Sequence, residues 1–139
     1  MYQFISVHKN NFVVREEDIN QVEKHFNIVF PKILRQFYLE HNGDSVELCK
    51  FRTDDFEHEI FEILPLKYGD CTVEDVMEND REDEIIPCTM IPIANDRGGD
   101  YYYWDLETEN VYLYYCDDIE NPIYICDSIK SLFDIMNRC

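Results

Sequence analysis

Residues 91–106, Ile-Pro-Ile-Ala-Asn-Asp-Arg-Gly-Gly-Asp-Tyr-Tyr-Tyr-Trp-Asp-Leu, constrain most strongly what this chain can fold into. Ile91 and Ile93 alternate with Pro92 and Ala94, so one face of a short strand is apolar. Asn95 to Gly99 is turn chemistry, because glycine reaches positive φ without steric cost. In the strand that follows, Tyr101 and Tyr103 point to one face and Tyr102 and Trp104 to the other. Large aromatics on both faces predict a central strand, covered on both sides.

Other elements fall into place around that strand. Tyr2 to Val7 reads as a short strand or arm. Ile19, Val22 and Phe26 recur at helical spacing and predict a helix over 16–27, with Glu16, Glu17 and Asp18 favourably placed at the positive end of its dipole. Pro31 opens a second helix whose buried face is Ile33, Leu34, Phe37 and Tyr38, and His41-Asn42-Gly43 ends it. Val46 to Phe51 alternates as a strand, Asp54-Asp55 is a polar break, and Ile60 to Leu66 is apolar and reads as a strand, with a short helix as the alternative. Thr72 caps a surface helix running to Asp83, with Val73, Val76 and Met77 as its apolar content. Three strands follow, over 90–94, 100–106 and 111–116. Asp117 to Pro122 is a loop, and Ser128 caps a last helix over 129–137. Strands flanked by helices, without regular βα alternation, predict a single α+β domain over 1–139 with a mainly antiparallel, possibly mixed, sheet.

Charge narrows the partners. Thirty acidic and 12 basic residues leave a net charge of −18 at pH 7. Such a surface repels phosphate backbones and anionic lipid, so neither nucleic acid nor a membrane is expected as partner, and a basic protein is. Met1 to Ile5 shows no export signal, and no run approaches the length of a transmembrane helix, so a cytoplasmic location is expected. In that compartment the six cysteines, none in a Cys-x-x-Cys pair, are expected to be reduced and mostly in the core.

No catalytic pattern stands out. The four histidines are scattered without metal-ligand spacing, so neither a metal nor another cofactor is expected. Asp96 to Asp100 lacks the spaced ligands and distal glutamate of a calcium loop. Gly98-Gly99 is followed by no Gly-Lys-Ser/Thr, which excludes a phosphate loop. Carboxylate pairs are too numerous to discriminate. Tyr101 to Trp104 with Tyr112, Tyr114 and Tyr115 is a dense aromatic group near only one basic residue, Arg97, which favours core packing with a protein-facing rim over base stacking. Two acidic segments, 70–84 and 117–120, read either as solvated faces or as a landing surface for a basic partner.

Two stretches and the chain's end carry a resemblance. Glu16-Glu17-Asp18-Ile19 through Phe30-Pro31 to Asn42-Gly43, then Ile91-Pro92-Ile93-Ala94 through Gly98-Gly99-Asp100 to Trp104-Asp105-Leu106, then Ser131-Leu132-Phe133, resemble the SMI/KNR-type domain of the SUKH superfamily. The acidic segment between Cys71 and Glu84 matches no part of that pattern. The resemblance implies an α+β fold with helices packed on the sheet, and no catalysis. Many bacterial members look like immunity proteins that bind and neutralise a cognate toxin, often a nuclease or deaminase; others are regulators of fungal cell-wall signalling or occur in viruses. The expected function is therefore a non-catalytic immunity protein. In it Asp70, Glu74, Asp75, Glu78, Asp117 and Asp118 steer a basic toxin domain, and Tyr102, Trp104, Tyr112 and Tyr114 anchor it where they are exposed. The alternatives are a regulatory or scaffold domain with a non-toxin partner, and a small hydrolase marked by a perturbed carboxylate pair in a cleft.

Overall fold

The computed structural model describes residues 13–53, 56–69 and 71–138, with the backbone alone at 46–48. The expected arm over Tyr2–Val7 and the break at Asp54-Asp55 lie outside these residues. Helix α1 (Glu16–Phe26) buries Ile19, Val22 and Phe26. Asp18 accepts the Arg15 backbone N–H at 2.9 Å, and Asn27 ends the helix in the left-handed region at φ 55°. Helix α2 (Lys32–His41) follows Pro31, which caps it rather than filling its first turn. Gly43 then turns the chain at φ 74°, a conformation costly to a residue with a Cβ. The two helices are latched by Arg35, which donates to Glu16, to Asn20 at 2.9 Å and to Glu23 at 2.7 Å. The second Glu23 oxygen accepts Phe30 N–H at 2.6 Å.

Strands β1 (Ser45–Thr53), β2 (Phe56–Ile63), β3 (Met90–Asn95), β4 (Tyr101–Asp105), β5 (Val111–Tyr114) and β6 (Ile123–Cys126) form one sheet in the order of the sequence. Every neighbouring pair is antiparallel. Helix α3 (Val73–Asp83) is inserted between β2 and β3, and α4 (Ile129–Asn137) closes the chain. The apolar run over 60–66 is strand only as far as Ile63; Leu64 and Leu66 stay buried beyond its end. Strand β6 is the element absent from the sequence reading. Four residues after Pro122 give too short an alternation to stand out, and pairing with β5 supplies what local propensity does not.

The prediction for β4 holds: it pairs with β3 on one side and β5 on the other, and both its faces are covered. Tyr102 and Trp104 enter the large core with Ile19, Leu34, Ile91, Leu113 and Leu132. Tyr103 joins Tyr114 and Val76 in a second, smaller cluster. Helix α3 contributes to both, giving Val73 and Met77 to the large core and Val76 to the small one.

Candidate functional site

The acids of α3 point in different directions because a helix turns about 100° per residue. Val73, Val76 and Met77 face inward. Glu74, Glu78 and Arg81 share one flank and look toward the rest of the chain: Glu74 pairs with Lys67 at 3.0 Å, Glu78 pairs with His25, and Arg81 donates to the Phe26 carbonyl at 2.9 Å. Asp83 lies on the opposite flank, and Asp75 faces solvent between the two. Asp75 is also committed locally, since it accepts the Thr72 N–H and donates its own N–H to the Thr72 hydroxyl, both at 3.2 Å. That is a capping box, which secures the start of α3.

Beside α3 lies the tyrosine face of β4–β6. The Tyr103 hydroxyl donates to Asp80 at 2.8 Å. Burial pushes the Asp80 carboxyl up, against the pull of that hydrogen bond. Tyr103 and Tyr114 meet edge to face with centroids 5.0 Å apart. Tyr112 and Tyr124 repeat the arrangement at 6.0 Å one step further out. Covering fades along this row: Tyr103 and Tyr114 are buried, Tyr112 is half-buried, and Tyr124 is 51% exposed.

The expected site residues divide accordingly. Asp70 lies outside the described residues. Tyr102, Trp104 and Tyr114 are buried, so the exposure required of them as anchors is not met. The reason is position: Tyr102 and Trp104 face the large core, and Tyr114 is sealed by Tyr103 and Val76. Tyr112 keeps an accessible side. Asp117 and Asp118 are exposed in the β5–β6 loop. The two acidic segments border the same end of β4. Cys71, just before α3, lies 3.4 Å from the Tyr101 hydroxyl, and Cys116, just before Asp117, donates its N–H to Asp100 at 2.9 Å. Glu74 and Glu78 point away from this end toward their basic partners. Tyr124 is the residue that sequence reasoning missed; the Ile-Tyr-Ile-Cys alternation over 123–126 was its only signal.

The carboxylate arrangement nearest to a hydrolytic one is Asp96 beside Asp100, in which Asp96 is the shifted group. Burial first, then hydrogen bonding to Asp100 and its charge, pushes Asp96 up to about 6. Its Oδ1 accepts the N–H groups of Gly98 at 2.9 Å and Asp100 at 3.0 Å, so the group braces the β3–β4 turn. Nearby, His58 is held through Nε2 by the Thr53 hydroxyl at 2.7 Å, and burial lowers its pKa. These side chains are spent on structure. Among the described residues no group of three or more His, Cys, Asp or Glu is placed to hold a metal ion. No helix among them is long and apolar enough to cross a membrane. The cysteines depart from expectation: Cys71, Cys88 and Cys116 are free but exposed, Cys126 is free and buried, and Cys49 is disulfide-bonded.

Charge is unevenly spread. Residues 98–129 hold eight acids (Asp100, Asp105, Glu107, Glu109, Asp117, Asp118, Glu120 and Asp127) and no Lys, Arg or His. Since β4, β5 and β6 are adjacent, this stretch is contiguous in space, forming half of the sheet. The ion pairs of Arg35, Lys67, Arg52 and Arg97 all lie elsewhere.

Curated proteins give no match to the sequence. The fold is similar to that in a crystal structure of a protein from Pseudomonas syringae pv. tomato, with a TM-score of 0.52 at 20% identity over 87% of this chain and 80% of that one. At that identity the likeness is one of fold. The family model described as SMI1 / KNR4 family (SUKH-1) matches residues 14–135, taking in both hallmark stretches and every strand. The chain belongs to the SMI1/KNR4 (SUKH-1) family.

Proposed function

We propose that this chain is a non-catalytic immunity protein, acting in the cytoplasm, that binds and neutralises a cognate toxin domain of the nuclease or deaminase type. Family membership over 14–135 carries the reading, because members of this family are typically immunity proteins. The mechanism is occlusion. Enzymes that act on nucleic acid hold a polyanion in a basic groove, and a protein of net charge −18 competes for that groove with like charge. Asp75, Asp117 and Asp118 steer the encounter, with the other acids of α3 adding to the long-range field.

Co-purification from the native host, followed by identification of the bound protein, tests the reading. A stoichiometric toxin domain is the expected result. A regulator without toxin activity in its place would make the chain a scaffold or regulatory domain and overturn the proposal. For the steering mechanism, Asp117→Lys with Asp118→Lys is expected to slow association about tenfold at low salt and to flatten its salt dependence. An unchanged on-rate and salt slope would sink the mechanism.

A further inference from the structure

We propose that the face of β5 and β6 bearing Tyr112 and Tyr124, with the acidic β5–β6 loop beside it, docks an arginine-bearing segment of a cationic protein partner. The proposal rests on the reading of this chain as a partner-binding protein and adds where, and to what chemistry, it binds.

Three observations carry it. First, residues 98–129, which build this half of the sheet, hold eight acids and no basic residue, and three of the exposed ones, Asp117, Asp118 and Glu120, stand in the β5–β6 loop. A second copy of the chain, at −18, is repelled by such a face, as is nucleic acid. Second, the face carries exposed aromatic surface in a fixed pose. Tyr124 is 51% exposed and meets Tyr112 at an interplanar angle of 74°. Tyr112 is in turn packed against the small Tyr103–Tyr114 cluster, and its hydroxyl accepts from Asn110 at 3.3 Å. A pair held this way gives up little entropy on binding. Third, carboxylates flank the pair along the chain. Asp117, Asp118 and Glu120 stand in the loop, and the charge of Asp127 reaches the Tyr124 hydroxyl.

Aromatic faces beside carboxylates select arginine over lysine. A planar guanidinium stacks on a tyrosine ring and keeps its N–H groups in plane for carboxylates; an ammonium has no plane to stack. Glu74 and Glu78 take no part, since they look to the other flank of α3 and are paired with Lys67 and His25.

The test is an NMR titration of the full chain with a synthetic dodecapeptide of alternating Arg and Leu, beside its Lys-for-Arg counterpart at equal charge. Expected are shifts concentrated at Tyr112, residues 114–120 and Tyr124, with the Lys peptide binding several-fold more weakly. Tyr124→Ala should lose about 3- to 10-fold in affinity while Tyr124→Phe retains it, as loss of one cation–π contact predicts. Glu74→Gln with Glu78→Gln should stay within about twofold, as expected of charges that only contribute to the distant field. The proposal is overturned by no binding, by shifts that map to α1 and α2, or by an unchanged affinity in a Tyr124→Ala variant of native circular dichroism. The two readings fail separately. A co-purified toxin whose complex ignores Tyr124→Ala leaves the immunity role standing and removes the surface. A mapped surface with a non-toxin partner does the reverse.

Discussion

Two halves of this molecule handle negative charge in opposite ways. In the half built from α1, α2 and β1–β3, several acids are tied to cations: Glu16 and Glu23 to Arg35, Glu57 to Arg52, Glu59 to Arg97. In the half built from β4–β6, eight acids share 32 residues with no cation at all. Paired acids knit elements together; Arg35 alone bridges α1 and α2. Acids without a cation repel one another, although Asp100, Asp105 and Asp127 still accept hydrogen bonds within the fold. Exposed Asp117, Asp118 and Glu120 in the β5–β6 loop are the acids that point to a role outside folding, and the comparison can be broken or sharpened by mutation.

The largest expected effect marks where the aromatic residues of the second half act on stability. Trp104→Ala removes a side chain that is 1% exposed within the large core, and should cost about 3–5 kcal/mol in urea unfolding. Tyr124→Ala, at a side chain on β6 that is 51% exposed, should leave the midpoint unchanged. Equal losses at both positions would erase the distinction between a structural and a presented aromatic.

Arg35→Ala should follow, at about 2 kcal/mol, because it strips Glu23 of its cation where that side chain is only 16% exposed. The loss should persist in high salt, since a partly buried network is weakly screened. A salt-sensitive loss of a few tenths would mean that the latch is no more than a surface ion pair.

How legible this organisation is from the sequence depends on the range of the forces involved. Caps, helical stripes and the β3–β4 turn are set by neighbours in the chain, and Asn27, Gly43, Thr72 and Ser128 all stand where local chemistry puts them. The double-faced aromatic pattern of β4 was equally readable, because alternation alone dictates it. Strand β6 was not, since its four residues become a strand only by pairing with β5. The candidate surface suffered most. Tyr102, Trp104 and Tyr112 are alike as letters, and which of them meets solvent is decided by the helices packed on each face. The cation-free run over 98–129 was visible in the sequence, yet it becomes a surface only once β4, β5 and β6 lie side by side.

Asp96 lies at the border of the two halves and should respond to pH. Its folded pKa, about 6, stands above the unfolded value near 3.8. A carboxyl raised in this way favours the folded state at low pH, and the contribution is lost as pH rises from about 4 to about 6. Asp96→Asn keeps an oxygen for the Gly98 and Asp100 N–H groups and removes the charge beside Asp100. It should stabilise the fold by up to about 1 kcal/mol at pH 7.5, allowing for solvent screening, and by less at pH 5. Destabilisation at both values would mean that the turn needs the carboxylate itself.

The smallest effect is the most direct test of the charge comparison. If acids in the β4–β6 half repel one another without compensation, neutralising one should raise stability slightly, and the gain should vanish with added salt. Asp117→Asn and Glu120→Gln, both at exposed positions, are the cases to measure, by thermal midpoint at low and high ionic strength. Glu23→Gln is the opposed case: it weakens the bond to Arg35 and should lower the midpoint. Opposite signs in the two halves would mean that the acids of β4–β6 are held against the interest of the fold. That is the signature of a surface kept for a partner, and the same Asp117→Asn variant should then bind that partner more weakly while folding more stably.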